Sequence, residues 1–304
     1  MLRVHQEMTL RSPLMLAAFS GWPDASLAAT GALKYLRAKY EVTRLAELDP
    51  EVVFCYSNTR PITSMLDRGR RAFRYPELVI YGAPLPFAER DVVLVTGPEP
   101  DLLWRACTGA IADYARQIGV QQVVTFGAFY AQVPHSVRPP IFGRSADLGE
   151  RARLAAMGVQ DTAYEGPTGF PTALADATQQ RGIPSTGLWA AGPIYLQGGT
   201  NPKVALRLLR VVERLYGVEL GLGELRGASQ DLDRRIDEAL HARPDLEQFV
   251  LRMAGLPVSD DVSGDTIHAA EEAELPSPEE FLHSLEEYLR ESRPQELDED
   301  PPPS

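Results

Sequence analysis

The segment Gly21-Trp22-Pro23-Asp24-Ala25 carries the first side chains that could do chemistry. It follows the apolar run 14–19, and in α/β proteins the loops that follow strands are where ligands bind. Asp24 could act as a base or a polar contact, with Trp22 as a platform for a ligand. Alternatively, Asp24 caps the helix that follows and Trp22 packs against the protein. A cap is sufficient reason for an aspartate at this position, so we favour the capping role.

A second candidate group lies on a loop bounded by prolines, where His135 and Arg138 are three residues apart between Pro134 and Pro139. Proline stiffens the backbone, which suits a positioned site. The histidine could act as an acid or base, and the arginine could hold a carboxylate or a phosphate. The alternative, to which we give equal weight, is a loop in which these side chains hydrogen-bond to backbone carbonyls.

A third candidate group is the segment YEGPTG at 164–169, directly before a predicted helix. Its glycines allow unusual backbone angles, and exposed amides at a helix start can hold an anion. The segment lacks the lysine of a phosphate-binding loop, so nucleotide binding is not predicted. Glu165 would form an acid–base pair with His135 if their loops met. The predicted ligand-binding rim comprises Trp22, Asp24, His135, Arg138, Glu165, Gly166, Thr168, Gly169 and Asn201, with His135, Glu165 and Asp24 as the candidate catalytic residues.

No recognisable catalytic or metal-binding motif accompanies these loops. The sequence contains no GxSxG nucleophile elbow and no HExxH, and no carboxylate cluster has metal-ligand spacing. Cys55 and Cys107 do not form a CxxC pair, and reduced thiols are expected in a large cytoplasmic protein. The sequence therefore predicts no cofactor and no metal. It favours a non-enzymatic protein and leaves the enzyme alternative open.

Strands and helices alternate along the chain to about residue 216. Apolar or alternating runs predict strands at 14–19, 41–48, 77–81, 91–96, 120–130 and 186–196, and a short extended piece at 52–56. Intervening stretches predict helices, including one that begins at Asn201-Pro202 with the asparagine as N-cap. The alternation predicts an α/β fold, in which a mostly parallel sheet has helices on both faces.

Composition divides the chain into three parts. Residues 1–226 are predicted to form the α/β core domain, 227–257 a helical appendage, and 258–304 an acidic, largely flexible tail with a helix near 278–291. The tail holds 15 acidic and 2 basic residues, a net charge of −13, whereas residues 1–257 hold 27 acidic and 28 basic residues.

A neutral body does not favour nucleic-acid binding. No run is long enough to span a membrane, so a cytoplasmic protein is predicted.

Taken in order, these motifs resemble the PAC2 family, and most closely its bacterial members of actinobacterial type. The resemblance rests on GWPDA at 21–25, ELDPE at 47–51, NTRP at 58–61 and DVVLVTGPEPDLLWRA at 91–106. It continues with VPHSVRP at 133–139, YEGPTG at 164–169, LWAAGPIYL at 188–196 and NPK at 201–203. The resemblance in order and spacing extends from near the N-terminus to about residue 255, and the combination of these pieces is specific.

The family's eukaryotic relatives include proteasome assembly chaperones. The resemblance implies a phosphorylase/hydrolase-like α/β fold with a helical C-terminal addition. It also implies a homo-oligomer, for instance a trimer, and a protein partner such as a proteasome component. Archaeal relatives that bind the proteasome end in hydrophobic-Tyr-X, whereas this chain ends in Pro302-Pro303-Ser304. Docking to the proteasome through the terminus is therefore not expected.

Two hypotheses follow from these observations. The first is a non-enzymatic scaffold or assembly-chaperone-type protein that self-associates and binds a protein partner. The alternative is a small-molecule-binding or hydrolase-like enzyme that uses Asp24, His135, Arg138 and Glu165. An ATP-grasp carboligase activity is not expected, because the sequence has neither a glycine-rich phosphate loop with a lysine nor paired acidic metal ligands.

Overall fold

A computed structural model describes residues 1–66, 70–86, 88–197, 199–242 and 244–253 of the chain. The strands are β1 (Leu2–Val4), β2 (Leu14–Ser20), β3 (Thr43–Leu48), β4 (Ile62–Met65), β5 (Arg71–Arg74), β6 (Leu78–Ala83), β7 (Val92–Pro98), β8 (Gln122–Ala131), β9 (Ile141–Ser145) and β10 (Ser185–Pro193). The helices are α1 (Ala28–Lys39), α2 (Pro50–Val53), α3 (Trp104–Gln117), α4 (Leu148–Ala156), α5 (Phe170–Gln179), α6 (Pro202–Tyr216), α7 (Gly223–Ala242) and α8 (Pro244–Met253). A single 3-10 turn, Ala25–Leu27, precedes α1.

Eight of these strands form one sheet in the order β1-β3-β6-β7-β2-β8-β10-β9. Its central strands β7, β2, β8 and β10 are parallel to their neighbours in that group. Antiparallel strands flank them, with β6, β3 and β1 on one side and β9 on the other. The predicted α/β class, with a parallel sheet at its centre, is confirmed. Strands β4 and β5 form a separate two-stranded sheet.

Strand β2 is apolar at every position from 14 to 19 because both of its faces are buried. Leu14 and Leu16 belong to a core that includes residues of α1, α4 and α6. Met15 and Phe19 belong to a second core, on the opposite face of the sheet, that includes residues of α3 and α5. A strand that is buried on both faces has no polar side, which is the usual pattern of a parallel sheet between helices. Helices therefore cover both faces of the sheet, as predicted.

Some local predictions differ from the structure. The extended piece predicted at 52–56 is wrong, because Pro50–Val53 is a helical turn that Asp49 initiates by accepting a hydrogen bond from the amide of Glu51 at 3.3 Å. The strand predicted to run to 196 ends at Pro193. Strands β1, β4, β5 and β9 were not predicted, since each has only three to five residues and carries little periodic signal.

The C-terminal helices pack against the segment that follows β10. Tyr195 and Leu196 form a cluster with Ile236, Leu240 and Val250. Helix α7 begins ahead of the predicted 226/227 boundary, so the division into a core domain and an appendage stays a prediction. The predicted tail, 258–304, and its helix near 278–291 lie outside the described residues. No helix in the described ranges is long and apolar enough to cross a membrane.

Candidate functional site

The loops at the carboxyl ends of the parallel strands lie together with the segment that precedes α5, and we call these residues the carboxyl-edge rim (residues 21–27, 99–103, 132–140, 164–169, 194–197 and 199–201). Ser26 joins two of them to the end of β8. Its amide donates to the Tyr130 hydroxyl at 3.0 Å and its own hydroxyl donates to the Leu196 carbonyl at 2.5 Å. Its carbonyl accepts a hydrogen bond from the amide of Asn201 at 3.0 Å. The loops after β2 and β10 and the end of β8 are thus connected through one serine.

Asp24 is buried and holds the start of α1. One carboxylate oxygen accepts hydrogen bonds from the amides of Ala29 at 2.8 Å and Thr30 at 3.1 Å, and the Thr30 hydroxyl donates to the other oxygen. Burial raises the pKa of Asp24, and these hydrogen bonds oppose that shift. The helix begins at Ala28 rather than directly after Asp24, because Ser26 and Leu27 adopt left-handed backbone angles. These contacts account for Asp24 as a capping residue.

Glu99, at the end of β7, is a site residue that the sequence did not single out. Its Oε1 accepts a hydrogen bond from the amide of Phe170 at 2.7 Å, at the start of α5. It also accepts one from the amide of Trp22, and burial raises its pKa against these two contacts. Glu99 therefore connects the loop after β2 to α5. Its position directly after an apolar strand, like that of Asp24, is the signal that could have identified it.

His135 is buried between two helices and the segment after β10. The amide of His135 donates to the Tyr195 hydroxyl at 2.5 Å, and Nδ1 lies 2.8 Å from the same oxygen. Nε2 lies 2.9 Å from Oδ1 of Asp237 on α7. A tyrosine proton directed to Nδ1 and an Nε2–H directed to the carboxylate satisfy all three groups. Lys203 donates to the His135 carbonyl and pairs with Asp233 at 2.8 Å.

The space around His135 is filled. The cavity there measures about 10 Å³ and is lined by residues that include Val133, Pro139, Asn201 and Lys203. A volume of about 10–15 Å³ is the minimum for one water molecule. A substrate therefore has no room beside this imidazole, and the structural role is the better account of His135.

The remaining residues of the predicted rim are distributed over its surface. Arg138, Glu165, Gly166 and Thr168 are exposed. In the described part of the chain, neither the Arg138 nor the Glu165 side chain has a hydrogen-bond partner. His135 takes Asp237 as its carboxylate partner, and the structure records no contact between His135 and Glu165.

The amides at the start of α5 were predicted to hold an anion. They already bind a carboxylate of the protein itself, that of Glu99. Gly169 is the N-cap of this helix and is buried. A side chain at Gly169 would meet Oε1 of Glu99 at 3.3 Å. The Phe170 amide donates to that same oxygen. Asn201 is likewise an N-cap, since its Oδ1 accepts a hydrogen bond from the Val204 amide at 3.1 Å. Across the described ranges, no group of three His, Cys, Asp or Glu residues is placed to hold a metal ion.

The rim also exposes large apolar side chains, and two of these are leucines with left-handed backbone angles. Leu27 precedes α1 with φ 47° and is 49% exposed, and Leu103 precedes α3 with φ 57° and is 52% exposed. They follow the adjacent parallel strands β2 and β7. For a residue other than glycine the left-handed conformation costs about 1–2 kcal/mol. Trp22 is 63% exposed and its ring lies edge-on to that of Trp189, at 6.2 Å. The rim therefore presents an apolar surface around polar residues that hold helix ends.

The model of the PAC2 family matches residues 18–240. Among solved structures, a proteasome-assembly chaperone homologue from Mycobacterium tuberculosis is 34% identical to this chain with a TM-score of 0.68, and the match covers 74% of this chain and 94% of that one. A PAC2 family protein from Streptomyces avermitilis MA is 32% identical with a TM-score of 0.67, covering 74% and 95%.

A more distant similarity is one of fold alone. PbaB of Pyrococcus furiosus, an archaeal proteasome activator, is 15% identical with a TM-score of 0.60, and the match covers 79% of this chain and 98% of that one. No curated protein matches the chain significantly.

Proposed function

The chain belongs to the PAC2 family, and from this premise we propose that it is a non-enzymatic, chaperone-type protein that self-associates and binds a protein partner in the cytoplasm. Its resemblance to a proteasome-assembly chaperone homologue supports proteasome components as the class of partner. The partner surface in this proposal is the apolar part of the carboxyl-edge rim, formed by Trp22, Leu27, Leu102, Leu103 and Tyr164, all of which are exposed.

The single observation that carries this proposal is the pair of strained, exposed leucines. Leu27 and Leu103 each adopt a left-handed backbone angle and leave about half of the side chain in water. Neither feature helps the isolated chain to fold. Burial of a leucine side chain contributes about 1.5–3 kcal/mol, so a partner that covers both leucines would offset the strain. Residues held in such conformations cluster at binding sites.

The chemistry of the rim gives less support to the hydrolase-like alternative. Asp24 holds the start of α1, and Glu99 holds the start of α5. His135 lies in a filled space and bonds to Tyr195 and Asp237. These polar groups have partners within the fold, whereas the leucines are exposed. Recognition of an apolar surface is therefore the function that the geometry favours.

The proposal is tested by affinity capture of the tagged full-length chain from its native cells, with quantitative mass spectrometry. The double variant Leu27→Asn/Leu103→Asn keeps the backbone angles, because asparagine tolerates the left-handed region. Leu148→Asn is the matched control, since Leu148 on α4 is 75% exposed and lies outside the rim. We expect the wild type and the control to retain a protein partner that the double variant loses. A partner retained equally by all three, or none enriched with the wild type, would overturn the proposal.

Two further readouts address the finer parts of the proposal. Proteasome subunits among the captured proteins would identify the partner class, and their absence would exclude it. Light scattering of the purified protein measures self-association. One chain has a mass of 33.5 kDa, so the self-associated protein should give a multiple of that mass. A mass equal to that of one chain would contradict self-association without affecting the partner proposal.

A further inference from the structure

Strands β4 and β5 form an arm, residues 62–66 and 71–75, that does not join the main sheet. Its register pairs Ile62 with Arg74 and Met65 with Arg71. Every residue of β4 is exposed, and in β5 only Ala72 is partly covered. An isolated two-stranded hairpin is at best marginally stable in water and needs a further strand, or a helix on one face, for stability. The arm therefore has the form of a surface that another element covers.

One face of the arm is both apolar and cationic. Residues directly opposite in an antiparallel pair point to the same side, so Met65, Arg71 and Phe73 share a face with Thr63. Met65 is 64% exposed and Phe73 is 60% exposed. The apolar side chains that the arm leaves in water are Ile62, Met65, Leu66, Phe73 and Tyr75.

The charge of the arm is positive and uncompensated. Residues 58–76 contain five arginines and one aspartate. Arg60, Arg70, Arg71 and Arg74 are exposed, and among the described residues none of the four is paired with a carboxylate. The acidic groups near the base of the arm have other partners. Glu77 pairs with Arg44 at 3.1 Å, and Asp101 accepts hydrogen bonds from the Cys55 amide and the Thr59 hydroxyl.

The chain itself contains a segment with the complementary chemistry. Residues 258–304 carry 15 acidic and 2 basic residues, whereas the rest of the chain is close to neutral. Within them, the predicted helix 278–291 has an apolar stripe and five glutamates. The stripe comprises Phe281, Leu282, Leu285, Tyr288 and Leu289, and the glutamates are Glu279, Glu280, Glu286, Glu287 and Glu291. An apolar stripe bordered by carboxylates matches a face that combines Met65 and Phe73 with Arg71.

The length of the chain allows this contact. Residues 254–277 connect α8 to the segment, and 24 residues can extend to about 80 Å at most. A domain of about 250 residues has a radius of gyration of about 18 Å, so the connection can reach any face of the body.

From the register, exposure and charge of the arm, we infer that the segment 278–291 of the same chain docks on its Met65–Phe73 face. The apolar stripe covers Met65 and Phe73, and a glutamate of the segment pairs with Arg71, which lies on the same face. This contact gives the arm the packing partner that an isolated hairpin lacks. The inference concerns a surface separate from the leucines of the rim and does not depend on the proposed function.

Photocrosslinking of the full-length chain tests this inference. The variant Phe73→p-benzoylphenylalanine places the crosslinker on the arm, and Leu148→p-benzoylphenylalanine is the control on a leucine that is 75% exposed. Peptide mass spectrometry then identifies the attached residues. An equal mixture of light and heavy-nitrogen chains separates crosslinks within one chain from those between chains. We expect Phe73 to crosslink to 278–291 within one chain, and the control at 148 to give no such product.

Charge variants give a second, independent measurement. Glu286→Lys/Glu287→Lys should abolish the crosslink from position 73, and adding Arg71→Glu should restore it. Since all three side chains are changed without touching the cores, loss followed by recovery separates docking from misfolding. Three results would overturn the inference. They are crosslinks of Phe73 to residues 1–253 of a second copy, mixed-isotope crosslinks to 278–291, and a yield that the charge variants leave unchanged.

Discussion

Oε1 of Glu99 accepts a hydrogen bond from the backbone amide of Phe170 at 2.7 Å, although 71 residues separate the two along the chain. The contact joins the carboxyl end of β7 to the first turn of α5. Together with the hydrogen bond from Trp22, it fixes two loops of the carboxyl-edge rim against each other. The negative carboxylate at a helix N-terminus is also favoured by the helix dipole. One glutamate thus holds the loop after β2 against the start of α5.

The buried position of Glu99 predicts a pH dependence of stability. Burial raises the pKa of Glu99, with hydrogen bonds from Phe170 and Trp22 opposing it, so the folded state binds the proton more tightly than the unfolded state. The ionisation of Glu99 therefore lowers the free energy of unfolding as the pH rises from the ordinary glutamate pKa, about 4.3, through the raised folded value. Glu99→Gln removes the titrating group and with it this pH dependence. The unfolding free energy of the variant, minus that of the wild type, should therefore increase as the pH rises through this window. Urea unfolding between pH 4 and 7 measures it.

The control for this experiment is Glu165→Gln, because Glu165 is exposed and its removal changes the net charge equally. A difference curve for Glu99→Gln that matches the control's would show that the ionisation of Glu99 is not linked to folding.

Asp91 should show the opposite sign. Burial acts to raise the pKa of Asp91, but hydrogen bonds from Arg11 and from the Leu85 amide outweigh it, and the pKa is lowered. The Arg11 guanidinium lies 2.6 Å from Oδ1 and the Leu85 amide 3.0 Å. The resulting stability is present above the unfolded pKa of aspartate, about 3.9, and is lost as pH falls through the lower folded value.

We therefore expect Asp91→Asn to lower the unfolding free energy at pH 7 by about 2 kcal/mol, since it removes charge-assisted hydrogen bonds. The deficit should shrink as the pH is lowered below 4. A deficit that is the same at pH 7 and pH 3 would mean that side-chain shape, rather than charge, is what Asp91 provides.

The left-handed backbone at Leu103 predicts a reversal of the usual effect of glycine. In a helix, glycine is less stable than alanine by about 0.8–1.0 kcal/mol. At φ 57° glycine adopts the required conformation without strain, whereas alanine keeps the strain. Leu103→Gly should therefore be more stable than Leu103→Ala by about 1 kcal/mol. On α4, Leu148→Gly should be less stable than Leu148→Ala. Thermal unfolding of the four variants decides the question, and the same sign at both positions would refute the strain at Leu103.

His135 and Arg138 lie on one loop but should respond differently to mutation. His135→Ala leaves the buried Tyr195 hydroxyl and the Asp237 carboxylate without this partner. We expect a loss of about 1–3 kcal/mol and faster hydrogen exchange in α7, to which the imidazole binds. Arg138→Ala should change stability by less than about 0.5 kcal/mol, because its side chain is exposed. Equal, small effects of the two variants would show that the His135 contacts contribute little to holding α7.

The two thiols should differ in reactivity. Burial raises the pKa of Cys107 to about 11, whereas a hydrogen bond with Ser57 lowers the pKa of the half-exposed Cys55. Because the thiolate is the nucleophile, iodoacetamide at pH 7.5 should alkylate Cys55 in the native chain and leave Cys107 intact. Intact-mass analysis and peptide mapping provide the measurement. Rapid labelling of both thiols would indicate that the core around α3 opens in the native state.

Much of the central fold was predictable because its signal is local. The run 14–19 is apolar at every position, which is typical of a strand buried on both faces, and β2 occupies the centre of the sheet. Asn201-Pro202 begins a helix in both the prediction and the structure, since capping involves only neighbouring residues. The arm was not predicted, because β4 and β5 have four residues each and no buried face.

Sequence by itself determined the strand and helix alternation, the family and the segregation of acidic charge into residues 258–304, because each of these is a property of neighbouring residues or of their order. Tertiary structure alone decided which polar groups meet. His135 takes Asp237, 102 residues away, rather than Glu165, and Glu99 rather than a ligand occupies the start of α5. A hydrogen bond requires atoms within about 3 Å in a defined direction, and only the packing of the helices against the sheet sets such distances.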